Sequence, residues 1–366
     1  MIDKADVLTE AARLRALFEA AGAVPVETDI LQPADTLLDL YGEDIRARAF
    51  TTTDPLRGEL MLRPDFTVPV VQAHMANGAD PARYTYAGEV FRRQESDPAR
   101  PLEYLQVGLE VFDGADPARA DAEAFTAIAG ALDGLPVAPA TGDVGIVTAV
   151  LDGMALSDDR RAALMRHLWR PRRFRQLIDR FAGRRPPPPT RAALLARVRA
   201  GEEVLTPDIP RVGLRSDAEV RARIDRLLRD AEEPPLPSGE VDLLDQVTSL
   251  ADTCPAALER LRDIAVDLPS LRPALDRFEA RLAALSGRGV DVDALPFEAS
   301  YGRTTMEYYD GFVFGFAAPG RADLPPVATG GRYDALTRRL GRGRAIPAVG
   351  GVIRPEVALK LSEAAP

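Results

Sequence analysis

The chain has 366 residues and a formal net charge of −10 at neutral pH, and hydrophobic residues make up 46% of it. This acidic balance is opposite to the usual charge of nucleic-acid-binding proteins, so we expect no nucleic-acid partner. The length suits two domains and supplies ample material for a hydrophobic core.

Cysteine and histidine are scarce. The chain has one cysteine, Cys254, and two histidines, His74 and His167. A single cysteine excludes an internal disulfide, and we expect it to be a buried structural thiol because no histidine lies near it in the sequence. Clustered metal ligands are absent from the sequence, so we expect no metal site.

An amphipathic pattern opens the chain. Apolar residues recur at helical spacing at Val7, Ala11, Leu14, Phe18 and Ala21. The pattern predicts a helix that ends at Gly22. Asp3 and Asp6 are atypical of a secretory signal peptide, and no apolar run approaches membrane-spanning length. We therefore expect a cytoplasmic protein with no membrane partner.

Two segments predict paired strands joined by a polar loop: RYTYAGEVFRRQ (83–94) and PLEYLQVGLEVFD (101–113). Side chains alternate along a strand, so the second segment has one apolar face, formed by Leu105, Val107, Leu109 and Val111. Its other face carries Tyr104, Gln106, Gly108 and Glu110. Gly108 leaves a gap between an amide and a carboxylate that suits a small polar ligand. The alternative is a half-exposed strand whose polar face meets water.

The first of these segments favours the ligand interpretation. It places Tyr84, Tyr86, Gly88, Val90 and Arg92 on one face. Arg92 could bind a carboxylate or phosphate through two parallel hydrogen bonds. The two strands together therefore predict a site for a small polar molecule.

YAGEVFRRQ and LQVGLEVFD together resemble motif 2 of the class II aminoacyl-tRNA synthetases, in its histidyl-tRNA synthetase form. LMLRPDFTVPV (60–70) is similar to that family's amino-acid-binding segment, and EYYDGFVF (307–314) to its tyrosine-pair motif. ATGGRYDAL (328–336) is similar to the glycine-rich run before the last strand, and ILQP (30–33) to the motif 1 proline region. The segments occur in the family's order.

This resemblance implies an α+β fold, with a class II aminoacyl-tRNA synthetase-like antiparallel sheet flanked by helices. The core domain would consist of residues 1–150 and 296–366. Residues 151–295 are rich in alanine, leucine and arginine and predict a helical insertion, which proline runs at 186–189 and 234–237 interrupt. The resemblance also implies a homodimer through the motif 1 region.

The sequence departs from the synthetase pattern where phosphates would be bound. Val357 stands at the motif 3 arginine position, and Arg354, three residues earlier, would lie on another helix face. Thr304 occupies the position at which the family has an arginine before the tyrosine pair. Arg303 is one residue out of register, and on a strand a shift of one residue turns the side chain to the opposite face. Phe66 occupies a glycine position and would narrow the pocket. Since adenylate formation needs preorganised positive charge, the departures imply that it is lost.

The sequence ends shortly after motif 3, where synthetases of this family continue into an anticodon-binding domain. A histidyl-synthetase-like chain with these features resembles the regulatory subunits of ATP phosphoribosyltransferase. That resemblance implies a hetero-oligomer with the short-form catalytic subunit, a role in the first step of histidine biosynthesis, and feedback inhibition by L-histidine. It implies no catalytic residues and no cofactor. The alternatives are a truncated histidine-activating synthetase or amino-acid ligase, and a stand-alone histidine sensor.

The resemblance also implies which side chains line a histidine pocket. The matching positions are Asp65, Thr67, Arg92, Gln106, Glu110, Tyr308 and Tyr309. The carboxylates suit a ligand ammonium or imidazolium, Arg92 suits the ligand carboxylate, and the tyrosines suit its ring. Two locations for histidine stay open: this pocket, and the contact with the catalytic subunit.

One stretch, residues 160–185, is dense in arginine and contains Trp169, Phe174 and Phe181. Such a segment could meet an acidic protein surface or RNA. We favour a solvent-facing helix, because charge runs on helices usually face water. Contact with another protein is our second interpretation of this stretch, and contact with nucleic acid is our last.

Overall fold

The computed structural model describes residues 2–41, 48–94, 100–205, 216–303 and 308–363. Contacts divide the chain into a larger unit, residues 1–147 with 248–366, and a smaller unit, residues 148–247. Segment 248–295 belongs to the larger unit, whereas the sequence-based division assigns it to the helical insertion.

The first part of the larger unit contains the N-terminal helix and the strand pair. In chain order its elements are α1 (Lys4–Ala20), β1 (Val24–Pro25), β2 (Leu31–Pro33), α2 (Ala34–Tyr41), β3 (Thr51–Asp54), β4 (Gly58–Leu62), α3 (Thr67–Asn77), β5 (Ala82–Phe91), β6 (Glu103–Phe112), α4 (Pro117–Ala131), β7 (Ala138–Asp143) and α5 (Val144–Gly153), the last of which extends into the smaller unit.

The described part of the smaller unit is helical. Its further elements are α6 (Asp158–Arg166), α7 (Pro171–Phe181), α8 (Pro189–Arg199), α9 (Asp217–Glu232) and α10 (Ser238–Thr248). The chain then returns to the larger unit through β8 (Ala251–Thr253), α11 (Cys254–Asp267), a 3₁₀ helix (Pro269–Leu271), α12 (Arg272–Ser286), β9 (Pro296–Glu298), β10 (Phe312–Ala317), β11 (Ala328–Arg332), α13 (Asp334–Leu340), β12 (Ala348–Ile353) and α14 (Pro355–Ser362).

Helix α1 follows the apolar pattern of its sequence. The Asp3 carboxylate accepts a hydrogen bond from the backbone nitrogen of Ala5 at 3.1 Å and caps the first turn. The buried residues of this helix are Val7, Ala11, Leu14 and Phe18. Gly22 follows the helix with a φ of 94°, a conformation that favours glycine. The predicted helix is confirmed.

Nine of the described strands of the larger unit form one sheet, in the order β1-β5-β6-β12-β11-β10-β7-β9-β8. A separate three-stranded sheet has the order β2-β4-β3. Neighbouring strands of the large sheet run antiparallel except in two pairs, β1 with β5 and β7 with β9. A large, mainly antiparallel sheet flanked by helices confirms the predicted α+β class.

Strands β5 and β6 pair as the sequence predicts. Tyr84 lies opposite Glu110 and Gly88 lies opposite Gln106, so the two predicted polar faces form one continuous face. Strand β6 is buried from residue 105 to 112, because β12 pairs with its other edge and side chains cover both of its faces. The half-exposed alternative is therefore wrong for β6.

Buried ion pairs join segment 248–295 to the sheet. A guanidinium nitrogen of Arg281, on α12, lies 2.7 Å from Asp143 and another lies 3.4 Å from Asp121 on α4. Arg332, at the end of β11, lies 2.7 Å from Asp121. All four side chains are less than 10% exposed. Each charge thus has a partner, as burial requires, and the pairs hold α12 within the larger unit.

The arginine-rich stretch is partly buried. Phe174, Ile178 and Phe181 lie inward on α7 and form part of the core of the smaller unit. Arg160 on α6 is only 6% exposed, and its Nε donates to Asp230 at 2.7 Å. The prediction of a solvent-facing helix is therefore wrong for Arg160, because an acidic residue far along the chain neutralises it inside the fold.

Cys254 begins α11 and is buried, as predicted. Burial raises the pKa of its thiol, which makes it a weak nucleophile. In the described ranges, no group of three or more His, Cys, Asp or Glu side chains could hold a metal ion. Nor does any described helix have the length and apolar character needed to cross a membrane.

Candidate functional site

The candidate site is organised around Glu110 in the middle of the large sheet. Glu110 is 1% exposed, and its Oε1 accepts hydrogen bonds from Thr67 at 2.8 Å and from the Tyr86 hydroxyl at 3.0 Å. Its Oε2 accepts a third hydrogen bond from the Tyr333 hydroxyl. One predicted site residue, Thr67, thus bonds directly to another, Glu110.

Burial gives Glu110 an unusual proton affinity. Loss of solvent raises the pKa of its carboxyl group, while the three hydroxyl hydrogen bonds lower it and the nearby Asp65 carboxylate raises it again. The net result is a pKa of about 7. Both protonation states are therefore accessible near neutral pH, and a cationic ligand would favour the ionised form.

The glycine gaps on this face are filled by the protein itself. A β-carbon at Gly108 would lie 2.3 Å from the Tyr86 ring, and one at Gly88 would lie 2.7 Å from a guanidinium nitrogen of Arg63. Phe66 stacks on Tyr86 with ring centroids 4.3 Å apart, and the Arg63 guanidinium lies 4.0 Å from the Phe66 centroid. The prediction of a ligand-sized gap at Gly108 is wrong, because this stack occupies it.

Gln106 is the residue of the site with unsatisfied polar atoms. It is fully buried, and neither its amide oxygen nor its amide nitrogen has a hydrogen-bond partner. Leaving a buried donor or acceptor unsatisfied costs roughly 1–3 kcal/mol, so such groups usually meet a ligand or an ordered water. Gln106 lies opposite Gly88 and shares its strand face with Glu110, with Gly108 between them on that face. The amide is therefore the strongest indication of a ligand contact.

Two more predicted residues, Asp65 and Arg92, lie at or beside the segment before α3. Asp65 is 3% exposed and accepts a hydrogen bond from the backbone nitrogen of Val68 at 3.3 Å. Arg92, just after β5, is half-buried, and its Nε donates to the carbonyl of Pro64 at 2.7 Å. Arg92 is thus positioned beside the same segment that supplies Asp65 and Thr67.

The tyrosine pair, Tyr308 and Tyr309, forms another part of the site. The rings of Tyr308 and Tyr309 meet edge to face at 5.0 Å, and Tyr308 meets Tyr333 at 5.9 Å. Burial raises the pKa of Tyr309, and the carboxylates of Glu110 and Asp65 raise it further. The structure therefore brings the predicted tyrosines together with the predicted carboxylates.

Sequence reasoning missed Tyr333 and disfavoured Arg354. Tyr333 belongs to the ATGGRYDAL segment, which was an available signal, but only the fold shows its bond to Glu110. The Arg354 guanidinium lies 6.0 Å from the Tyr104 ring centroid, and the Arg92 guanidinium lies 5.9 Å from it. Two cations thus lie near one ring at the edge of the site.

The structure does not support the helix-face argument made from the sequence for Arg354. Arg354 precedes α14 and is not on a helix face, so the helix period does not decide where its side chain lies. Val357 lies inside α14 and is 6% exposed, in the apolar core. Arg303 lies in a turn and not on a strand, so the face reversal does not apply to it. Thr304 lies outside the described residues.

Comparison with known proteins identifies the family. The family model for histidyl-tRNA synthetase matches residues 4–234 and 220–357. A protein of Brucella anthropi named ATP phosphoribosyltransferase regulatory subunit is 34% identical, over 92% of this chain and 93% of its own length. A Brucella canis protein of the same name is 33% identical over the same shares. This chain belongs to the family of ATP phosphoribosyltransferase regulatory subunits.

Solved structures agree with the family assignment at the level of the fold. A Bacillus halodurans C protein, described as an ATP phosphoribosyltransferase regulatory subunit/histidyl-tRNA synthetase, superposes with a TM-score of 0.69 at 21% identity, covering 99% of this chain and 81% of that one. A histidine–tRNA ligase subunit of Alicyclobacillus acidocaldarius gives 0.60 at 24% identity, covering 100% and 96% of the two chains. This chain therefore has the histidyl-tRNA synthetase-like class II fold.

Proposed function

We propose that this chain is the non-catalytic regulatory subunit of ATP phosphoribosyltransferase in a cytoplasmic complex with a short-form catalytic subunit. In this role it would support the first step of histidine biosynthesis and transmit feedback inhibition by L-histidine. The observation that carries the proposal is the shared name of relatives that are 33–34% identical over 92% of the chain.

We further infer that L-histidine binds at the site around Gln106 and Glu110. The unsatisfied amide of Gln106 supplies an NH₂ donor group and a carbonyl acceptor for a polar ligand. Glu110 and Asp65 are carboxylates that suit an ammonium or imidazolium group, and Arg92 suits a carboxylate. This combination of charges matches a free amino acid with a basic ring.

The stack of Arg63, Phe66 and Tyr86 limits the size of the ligand. These side chains occupy the space above Gly88 and Gly108, so the ligand space is reduced to the side of Gln106, Asp65 and the tyrosines. Such a site favours a small molecule over an extended one such as an adenylate. The size restriction supports histidine sensing without activation.

The position of Val357 also supports a non-catalytic role. Its side chain packs in the core, where it supplies no positive charge for phosphates. We expect no histidine-dependent exchange of pyrophosphate into ATP. Robust exchange in that assay would contradict the proposal.

One observation favours a second candidate, a truncated histidine-activating enzyme. Arg354 and Arg92 both lie near the Tyr104 ring, so a second guanidinium is available at the site despite the valine at position 357. If this candidate were correct, the exchange assay would give a signal that Arg354→Gln abolishes. Under the regulatory proposal, neither form of the protein gives a signal.

The regulatory proposal is tested most directly with the partner. We expect the chain to co-purify with a short-form catalytic subunit and to raise its activity, as a homodimer within the complex. Histidine should inhibit the complex, and Gln106→Leu should weaken that inhibition at least tenfold. A chain that binds histidine but does not associate with the catalytic subunit would instead be a stand-alone sensor.

A further inference from the structure

The smaller unit contains an arginine cluster, defined here as Arg160, Arg180 and Arg191. The guanidinium centre of Arg160 lies 4.9 Å from the ring centroid of Phe181, and that of Arg180 lies 5.5 Å from the same centroid. Arg191 reaches the same place from α8 through an ion pair with Asp230, which also pairs with Arg160. Three positive charges thus gather around one aromatic ring and one carboxylate.

The acidic residues beside the arginine cluster already have partners. Asp230 accepts hydrogen bonds from both Arg160 and Arg191. Burial raises the pKa of Asp230, but these hydrogen bonds lower it by more, so the carboxylate stays ionised. Glu233 lies 3.0 Å from the Nε of Arg160. Two carboxylates therefore face three guanidinium groups, which leaves one positive charge in excess.

Arg180 carries that excess charge. It is half-buried, and its Nε is buried with no hydrogen-bond acceptor. The Nε of Arg191 is also buried without an acceptor. Burial lowers the pKa of Arg180, Arg191 lowers it further, and Asp230 only partly opposes the effect. Half-buried donors of like charge are stable together only when an anion or water satisfies them.

We propose that the arginine cluster binds a small anion that carries a phosphate group. The guanidinium fork matches the oxygens of phosphate, and several donors can converge on one such group. Arg160 and Arg191 are only 7% and 13% exposed at their side chains, which makes them inaccessible to a polypeptide segment and limits the proposal to a small anion. The protein as a whole carries a net charge of −10, so the attraction is local to this cluster.

A neighbouring histidine is consistent with such a site. The Nδ1 of His167 is buried and has no hydrogen-bond partner. Burial lowers the pKa of His167, and the arginines at positions 173, 166 and 180 lower it further, so the ring is neutral at neutral pH. An anion at the cluster would raise that pKa. Its binding should therefore be detectable in the His167 ring signals.

The test is calorimetric titration of the full-length protein with inorganic phosphate and with pyrophosphate, at constant ionic strength set by chloride. We expect saturable binding that Arg180→Gln weakens at least tenfold. Arg180→Lys keeps the charge but loses the Nε donor, so a smaller loss is expected. Arg172→Gln is the matched control, because Arg172 is exposed on the same helix and the charge change is identical.

Two results would overturn the proposal. One is the absence of saturable phosphate binding to the wild-type protein. The other is an equal loss with Arg172→Gln, which would mean that only the overall charge matters. Should Arg180→Gln fail to fold by circular dichroism, Arg180→Lys and the phosphate-dependent shift of the His167 ring signals decide the question.

Discussion

Gly350 on β12 lies directly opposite Glu110 on β6, and a β-carbon at Gly350 would stand 1.6 Å from the Oε2 atom of Glu110. The carboxylate therefore occupies the space that any other residue at position 350 would take. This arrangement lets Glu110 lie flat above the neighbouring strand and reach the Tyr333 hydroxyl. The glycine is thus a direct requirement of the site.

We expect Gly350→Ala to displace the Glu110 carboxylate and break its hydroxyl contacts. Overpacking of this kind typically destabilises a protein by about 1–3 kcal/mol, and histidine binding should be lost with it. Urea unfolding and calorimetry measure the two effects. The matched control is Gly130→Ala on α4, where a β-carbon would meet nothing within 4 Å. Helix propensity predicts that this change raises the free energy of unfolding by roughly 0.5–1 kcal/mol. Equal effects of the two changes would contradict this interpretation.

Gln106→Leu should change stability and binding in opposite directions. Leucine removes two unsatisfied polar atoms from the core, so the free energy of unfolding of the unliganded protein should rise by roughly 1–3 kcal/mol. Histidine affinity should fall at least tenfold because the ligand loses its amide partner. Gln176→Leu, at an exposed position of α7, should leave both quantities unchanged. A destabilised Gln106→Leu protein would show that the amide is satisfied without ligand.

Glu110 should make stability depend on pH in a defined window. Its pKa is raised from 4.5 to about 7 on folding, so the fold favours the protonated acid. The stability that this preference contributes is present below pH 4.5 and is lost as the pH rises to 7. Relative to the Glu110→Gln protein, the free energy of unfolding of the wild-type protein should fall by on the order of 3 kcal/mol across that window.

Urea unfolding of both proteins between pH 4.5 and 8 measures this difference. Other titrating groups are common to the two proteins and cancel in the comparison. Glu232→Gln removes an exposed carboxyl group and should give a curve parallel to that of the wild type. Parallel curves for Glu110→Gln as well would show that Glu110 keeps an ordinary proton affinity.

Phe66→Ala should loosen the stack on the ligand face. Phe66 is 2% exposed and contacts both Tyr86 and Arg63, so its truncation should cost about 3–5 kcal/mol in the free energy of unfolding. Leu56→Ala, at a position that is 93% exposed, should change that energy by less than about 0.5 kcal/mol. A small effect at Phe66 would mean that the stack is not part of the rigid core.

The strand pair shows what periodicity can predict. Alternation alone places Gln106 and Glu110 on one face, and the register with β5 bears this out. The same pattern cannot show what fills the face, because Phe66 and Arg63 come from the loop before α3 and enter above the glycines. Glycine in a strand signals close approach of another group, and here that group belongs to the protein.

The remaining differences come from contacts that are distant in sequence. Tyr333 is 223 residues from Glu110, so no local pattern could predict their hydrogen bond. Arg160 is likewise buried by Asp230, which is 70 residues away. Charge patterns describe surface faces well only when no distant partner covers them.

The strand order of the large sheet has a consequence for protein synthesis. Strand β6 pairs on one side with β5, which precedes it, and on the other with β12 near the end of the chain. Ribosomes add about 5–20 residues per second, so β12, which begins at Ala348, emerges roughly 10 to 50 s after Glu110. During that interval the β6 edge lacks its native neighbour, and its unpaired backbone N–H and C=O groups are open to pairing with another chain.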